Sequence, residues 1–167
     1  MMSTMNTAAM PLQSSSGIRH TILSLYAAIA TRLQSLSSLA NLALRLYVAH
    51  VFFASGQTKI QSWDTTLQLF QYEYHVPFLS PTLAAYAGTF TELFFPVLLV
   101  LGLGGRFAAL VLFVFNIIAV VSYPELNAAG LEQHKVWGLM LLALLLHGPG
   151  KLSIDHLIKS ATNNANR

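Results

Sequence analysis

Cysteine is absent from this chain of 167 residues, and charged residues make up only 9% of it. The missing thiols exclude disulfides, thiolate metal ligands and thiol redox chemistry on this chain. The charge is also far below the share of about 25% that is usual in a soluble domain. Hydrophobic residues make up 54% of the sequence, which is typical of a membrane protein.

The basic residues do not indicate nucleic acid as a partner. They are spread along the chain and form no patch with interleaved aromatic residues. We therefore expect the lipid bilayer, and no nucleic acid, to be the main partner of the chain.

Four apolar stretches approach the length of about 20 residues that a helix needs to cross a bilayer. They cover residues 39–59, 82–103, 106–123 and 131–147. These spans leave too little chain for a soluble domain, and there is no internal repeat. The sequence therefore predicts an all-α fold, in which one membrane domain over residues 39–157 forms a polytopic four-helix bundle.

The basic residues predict the orientation of these spans. With a cytoplasmic N-terminus, seven basic residues lie at the inner side, and two, Lys59 and Lys135, lie near the outer side. Positive charge is retained in the cytoplasm, so both termini are predicted to lie inside, together with a cytoplasmic tail at residues 158–167. The expected location is the cytoplasmic (inner) membrane of a bacterium.

Two different segments precede the first span. Residues 1–17 are rich in Ser, Thr, Met and Asn without apolar periodicity, and we expect them to be disordered. Residues 18–38 carry apolar side chains at spacings of three and four, which predicts an amphipathic helix in the cytoplasmic interface. A cleaved signal peptide is the alternative, but this segment lacks a compact apolar core and a clear small-residue cleavage site.

The segment after the first span, IQSWDTTLQLFQYEYHVPFLSP, is too polar to cross a bilayer and too aromatic to stay in water. It predicts a short helix from Trp63 to about Tyr74, with Ser62 as its cap, at the outer interface. An interfacial anchor is the simpler interpretation of this segment. A lid over an outward-facing cavity is the alternative.

Polar side chains within the spans predict an intramembrane polar pocket. Glu92, His50 and Asn116 each stand about ten residues inside a span, roughly 15 Å deep at 1.5 Å per residue. An unpaired carboxylate there costs several kcal/mol, so we expect Glu92 to face the interior beside Arg45 or, second, His50. Lys59 and His134 are placed at the rim of the pocket.

Each of these residues also has a simpler interpretation. Arg45 can extend to the headgroups, Lys59 can anchor the interface, His50 can be a satisfied core histidine, and Asn116 can link two helices. No metal site is predicted, because no helix carries an HxxxH, HExxH or ExxH spacing.

Three stretches together resemble the DoxX family of small bacterial membrane proteins: LRLYVAHVFFASGQTK, TELFFPVLLVLGLGGRFAAL and HGPGKLSID. The resemblance covers about residues 40–157. The positions that carry it are Arg45, Gly56, Lys59, Glu92, Gly102, Arg106, Gly148, Gly150, Ser153 and Asp155. It implies a four-helix bundle in the cytoplasmic membrane. Family members are associated with a thiosulfate:quinone oxidoreductase, with redox-protection complexes and with metal or oxidative stress.

Three functional hypotheses follow from the residues and the resemblance. The first is a non-catalytic component of a redox or stress-response assembly that binds a small lipophilic molecule, with a quinone as the candidate ligand. The second is the quinone-facing subunit of an oxidoreductase, in which His50 and Glu92 handle protons. The third is a proton- or metal-coupled transporter, which would require a homo-oligomer because four helices enclose little space.

Overall fold

The computed structural model describes residues 15–165, which form six α-helices and no β-strand within that range. The helices are α1 (Ser15–Gln61), α2 (Trp63–Tyr72), α3 (Pro81–Leu101), α4 (Gly105–Ser122), α5 (Ala128–His147) and α6 (Ile154–Ala165). The predicted all-α class is confirmed. Residues 1–14 of the segment predicted to be disordered lie outside the described residues, and α1 begins at Ser15.

The chain divides into two compact units, Met1–Leu36 and Ser37–Arg167. In the first unit, α1 exposes the apolar side chains that predicted an interfacial helix, among them Ile22, Leu25, Tyr26, Ile29 and Leu33. No break in the helix marks the predicted boundary between residues 38 and 39, because neither Gly nor Pro occurs from residue 18 to residue 55.

Three helices are long and apolar enough to cross a membrane: Arg19–Gln61, Pro81–Leu101 and Gly105–Ser122. Helix α5, which contains the predicted fourth span, does not reach this apolarity. Its first turns carry Glu132, Gln133, His134 and Lys135, and an unbroken apolar run starts only at Leu139. The fourth span therefore stays a prediction.

The second unit has a hydrophobic core to which four helices contribute. Its buried members are Val48, Ala49 and Phe52 of α1, Leu99 of α3, Ala108, Ala109 and Leu112 of α4, and Leu141 and Leu144 of α5. Phe52 also makes edge-to-face contacts with Phe115 and Trp137. This core occupies the interior between two polar clusters, one around Arg45 and one around Lys59.

Helix ends and turns follow local sequence signals. Ser80 caps α3 by accepting from the Leu83 N–H at 3.4 Å, and Pro81 occupies its first turn. Gly102 and Gly104 have φ values of +64° and +56°, so the GLGGR stretch forms a tight turn between α3 and α4. Helix α2 is confirmed, but the predicted cap is not made, because the Ser62 hydroxyl contacts the Thr65 hydroxyl instead.

Candidate functional site

Lys59, Ser55 and Glu92 form a hydrogen-bonded cluster, which we call the Lys59 triad. The Lys59 Nζ atom lies 2.7 Å from Glu92 Oε2 and 2.8 Å from Oε1, and it also donates to the Ser55 hydroxyl at 3.0 Å. The Ser55 hydroxyl in turn donates to Glu92 Oε1 at 3.0 Å. The Glu92 side chain is only 6% exposed and that of Lys59 18%, so the charges neutralise each other largely out of solvent.

The sequence places these side chains together by helical spacing and by a glycine. Ser55 and Lys59 are four residues apart on α1 and therefore share a face. A Cβ atom added at Gly56 would lie 3.0 Å from the Glu92 Cβ and 2.9 Å from the Leu93 side chain. The glycine thus allows α1 and α3 to approach closely at this level, as small residues do in membrane helix pairs.

The expected partners of Glu92 were wrong, although the partner does come from the first predicted span. Counting helical rise from the predicted span ends placed His50 level with Glu92. In the structure Gly56 packs against Glu92, so the carboxylate lies nearer to the end of α1 that carries Lys59. His50 is exposed and lines a separate apolar groove of about 330 Å³ between α1 and α3.

Asn116 of α4 and His134 of α5 form a second polar pair. The Asn116 Nδ2 atom donates to the His134 backbone oxygen at 2.9 Å, and Asn116 Oδ1 lies 2.8 Å from His134 Nδ1. Because the backbone oxygen can only accept, the amide oxygen must face the ring, and His134 Nδ1 must carry a proton. In the neutral imidazole, Nε2 is then left as a hydrogen-bond acceptor.

A cavity of about 530 Å³ lies beside the Lys59 triad, and helices α1 to α5 all contribute to its lining. Lys59, Glu92 and His134 line it together, whereas Asn116 contacts it only through His134. Its walls are mainly apolar and include Phe70, Val76, Phe115, Ile118 and Leu126. The volume and the few polar groups are typical of a pocket for a small apolar molecule with a polar end.

The segment that joins α2 to α3 covers part of this cavity. Tyr74, Val76, Pro77, Phe78 and Leu79 all line it. The His75 N–H donates to the Ser122 backbone oxygen at 2.7 Å, and the Tyr74 ring meets the Tyr123 ring edge-on. Burial, followed by the charges of Tyr123, Glu73 and Glu92, raises the pKa of Tyr74, so its hydroxyl stays protonated as a donor.

Sequence reasoning missed the hydroxyl groups of Ser55 and Ser122 at this cavity. Ser55 has a signal in SGQTK, because it stands one helical turn before Lys59. Ser122 has none, since a serine at the end of a helix is common. Its hydroxyl is buried without a hydrogen-bond partner among the described residues, and the residue lines the cavity.

Arg45 lies in a different cluster, and its side chain is fully buried. The guanidinium donates to the backbone oxygens of Val100 at 3.0 Å and Leu99 at 3.4 Å, and to that of Leu152. These contacts place a positive charge on the last carbonyls of α3, where the helix dipole favours it. Gly102 leaves the space for this side chain, since an added Cβ would lie 2.6 Å from Arg45 Nη1.

The remaining motif residues at this end also bind backbone groups. The Asp155 carboxylate accepts from the N–H groups of Gly104 at 2.9 Å and Gly105 at 3.0 Å, at the start of α4. Ser153 caps α6 by accepting from the His156 N–H at 3.2 Å. Arg106 donates to the Leu146 oxygen at 3.3 Å beside Gly148, and Ser153 donates to the Gly150 oxygen at 2.6 Å.

We call the residues at this end the Arg45 cluster: Arg45, Gly102, Arg106, Gly148, Gly150, Ser153 and Asp155. They join α1, the α3–α4 turn and the α5–α6 turn. The structure therefore does not bring Arg45, His50, Glu92 and Asn116 into one pocket. It separates a backbone-binding cluster from a cavity-lining triad.

The apolar helices indicate the class of protein to which this chain belongs. An all-helical chain with three strongly apolar helices indicates an integral membrane protein. The DoxX family model matches residues 40–124. The chain is also 31% identical over 134 residues to an uncharacterized protein of Haemophilus influenzae. The aligned region covers 74% of this chain and 85% of that protein. No solved structure matches it significantly. The chain belongs to the DoxX family.

Proposed function

We propose that this protein is an inner-membrane component of a redox or stress-response assembly, and that it binds a small lipophilic ring compound such as a quinone. The observation that carries the proposal is the cavity of about 530 Å³ with the Lys59 triad and His134 in one otherwise apolar lining. A flat ring fits between aromatic walls, and a few polar groups can fix its orientation.

The proposed membrane placement has four spans with both termini inside. Helix α5 provides the fourth span, because the Asn116 amide satisfies its His134 and its later turns are apolar. Val136, Leu139 and Leu146 are exposed on α5, as side chains that face lipid would be. The Arg45 cluster then lies at the inner side, where most basic residues are found, and the cavity opens toward the outer side.

Reporter fusions test this placement. Phosphatase or fluorescent protein fused after Gln71, Gly104, Gly130 and Lys159 should report outside, inside, outside and inside, in that order. An inverted pattern, or an inside signal after Gly130, would overturn the placement.

The polar groups of the cavity are suited to different parts of a ligand. The Lys59 ammonium contacts the Ser55 hydroxyl and both carboxylate oxygens of Glu92, so the ion pair forms a wall without net charge. The buried hydroxyl of Ser122 can donate to a carbonyl oxygen, and His134 Nε2 can accept from a hydroxyl. A quinone carries the first group and its reduced form carries the second.

The segment over residues 73–80 serves as the lid in this proposal. One backbone hydrogen bond, from His75 to Ser122, and the ring contact between Tyr74 and Tyr123 hold it to α4. Phe78 is fully exposed and has a φ of +65°, which is costly for a bulky residue. A ligand dissolved in lipid could enter by displacing this segment.

A second candidate function is the quinone-facing subunit of an oxidoreductase of the thiosulfate:quinone type. It is favoured because Lys59, Glu92 and His134 line one cavity and could exchange protons with a ligand. His134 takes the place expected of His50. The transport alternative receives less support, since Phe52, Leu112 and Leu141 fill the interior between the cavity and the Arg45 cluster.

Ligand binding can be measured on the detergent-solubilised protein. Quinones quench tryptophan fluorescence, and Trp137 lies beside His134 with 4.9 Å between the ring centroids. Titration with a short-chain quinone should give saturable quenching that His134→Gln and Ser122→Val weaken. His50→Gln is the matched control, because His50 lines the other groove.

Native mass spectrometry of the same preparation should show a bound lipophilic molecule or partner subunits. Quenching that does not saturate, together with a spectrum of the empty monomer, would overturn the proposal. Quenching that is equally weak in His50→Gln and His134→Gln would place the ligand elsewhere. A co-purified subunit with a redox cofactor would favour the second candidate.

A further inference from the structure

Helix α6 separates apolar from polar side chains completely. Its apolar residues are Ile154, Leu157, Ile158, Ala161 and Ala165, which fall within an arc of about 100° at 3.6 residues per turn. Leu157 is 65% exposed and Ile158 is 53% exposed. Within the described residues, this apolar face is therefore open. The opposite side carries His156, Lys159, Ser160 and Asn163.

The start of α6 is fixed to the ends of two candidate membrane helices. The Asp155 carboxylate binds the Gly104 and Gly105 N–H groups, and its own N–H donates to the Gly102 oxygen at 3.1 Å. Gly102 ends α3 and Gly105 begins α4, and both of these helices are long and apolar enough to cross a bilayer. Helix α6 thus starts at the level where α3 and α4 would leave the membrane.

The surroundings of this level also favour a lipid surface. Leu101, Leu103 and Phe107 are exposed on both sides of the turn, so the neighbouring helices also present open apolar side chains at this level. Lys151 precedes α6 and Lys159 lies on its polar side, and both are exposed. Lysines at such positions are attracted to anionic headgroups, by about 1 kcal/mol each near an anionic surface.

We propose that α6 lies flat in the headgroup region of an anionic leaflet, with its apolar face toward the acyl chains and Lys159 toward the headgroups. The helix would fix the depth of the α3–α4 turn, since Asp155 ties the two together. Amphipathic helices with flanking lysines bind membrane surfaces in this manner. The inference concerns the Arg45 end of the protein and is independent of what the cavity binds.

The chain contains no cysteine, so single-cysteine variants can be spin-labelled without further substitutions. We would label the full-length protein at Leu157→Cys on the apolar face and at Asn163→Cys on the polar face, and reconstitute it with phosphatidylcholine and phosphatidylglycerol. Collisions with oxygen, which dissolves in lipid, and with a water-soluble nickel chelate report the environment. The ratio of oxygen to nickel collisions should be severalfold higher for the label at residue 157.

Two results would overturn the proposal. Equal ratios at the two positions would show that α6 lies in water. A label at residue 157 that neither reagent reaches would show that protein, such as a second copy of the chain, covers the face. Replacing phosphatidylglycerol by phosphatidylcholine, or Lys151 and Lys159 by Gln, should lower the ratio at residue 157, and no change would exclude the headgroup attraction. The quenching of tryptophan fluorescence by quinone is measured on both labelled variants as well. It reports binding at the cavity, so a failure of the α6 proposal can be told apart from a failure of the cavity proposal.

Discussion

The Arg45 cluster and the Lys59 triad both bury a cation, but they satisfy it in different ways. Arg45 donates to backbone oxygens at the end of α3 and in the turn before α6, and it lines neither the cavity beside the Lys59 triad nor the groove of His50. Lys59 binds a carboxylate that lines a cavity. A cation held by the main chain fixes helix ends, whereas an ion pair beside a cavity can respond to a ligand. Family motif residues are therefore divided between a structural role and a proposed binding role.

The largest expected effect is a loss of stability on substitution in the Arg45 cluster. Arg45→Met removes the buried donor of the Val100 and Leu152 oxygens, whereas the Leu99 oxygen still accepts from the Gly102 N–H at 3.2 Å. An unsatisfied buried group costs about 1–3 kcal/mol, so we expect a loss of about 3 kcal/mol or more, measured as a much lower melting temperature in detergent. Arg45→Lys keeps the charge but has fewer hydrogen-bond donors, so its melting temperature should lie between those of the parent and of Arg45→Met. A melting temperature near that of the parent would mean that the cluster does not hold the helix ends.

The second prediction concerns the Lys59 triad. Glu92→Gln removes the countercharge of Lys59, which is 18% exposed and can extend toward the outer interface, so we expect a loss of only about 2 kcal/mol. The quenching of tryptophan fluorescence by quinone should weaken more than the loss of stability explains, since the variant leaves a net positive charge beside the cavity. Lys59→Met combined with Glu92→Gln should recover much of the stability without restoring binding. Full binding by Glu92→Gln would assign the pair a packing role only.

A smaller effect separates binding from stability. The Ser122 hydroxyl is buried and has no hydrogen-bond partner in the part of the chain that the structure describes, so Ser122→Ala should leave the melting temperature unchanged or slightly raised. If the hydroxyl binds a ligand, the affinity should fall roughly threefold to tenfold. Ser160→Ala on the exposed α6 is the matched control for both measurements. Unchanged affinity in Ser122→Ala would remove this hydroxyl from the proposed site.

The smallest effect is a pH dependence at the lid. Burial raises the pKa of Tyr74 from its ordinary value of 10.0, so folding favours the protonated phenol. The resulting stability is complete below about pH 10 and is lost as the pH rises from there through the folded pKa. In an alkaline absorbance titration, Tyr74→Phe should remove a late-ionising tyrosine, and Tyr72→Phe, at an exposed position, is the matched control. Two identical titration curves would mean that Tyr74 is not shielded.

Local patterns predicted much of the fold but only part of the site. The helices, the glycine turn at GLGGR and the cap of α6 by Ser153 all follow from spacing, backbone freedom and hydrogen bonds between near neighbours. Burial of Glu92 followed from the cost of an exposed carboxylate in lipid, and it is confirmed. The partner was missed, because the register between α1 and α3 depends on how Gly56 packs against Glu92 and Leu93.

The helical class, the membrane character and the family follow from hydrophobicity and motif order, which are properties of the chain alone. The cation that meets Glu92, the position of His50 outside the cavity and the place of Ser122 in its lining depend instead on how the helices pack against one another. The reason is geometric. A helix of 3.6 residues per turn changes the facing of a side chain by about 100° per residue, so a small shift in packing register exchanges one partner for another.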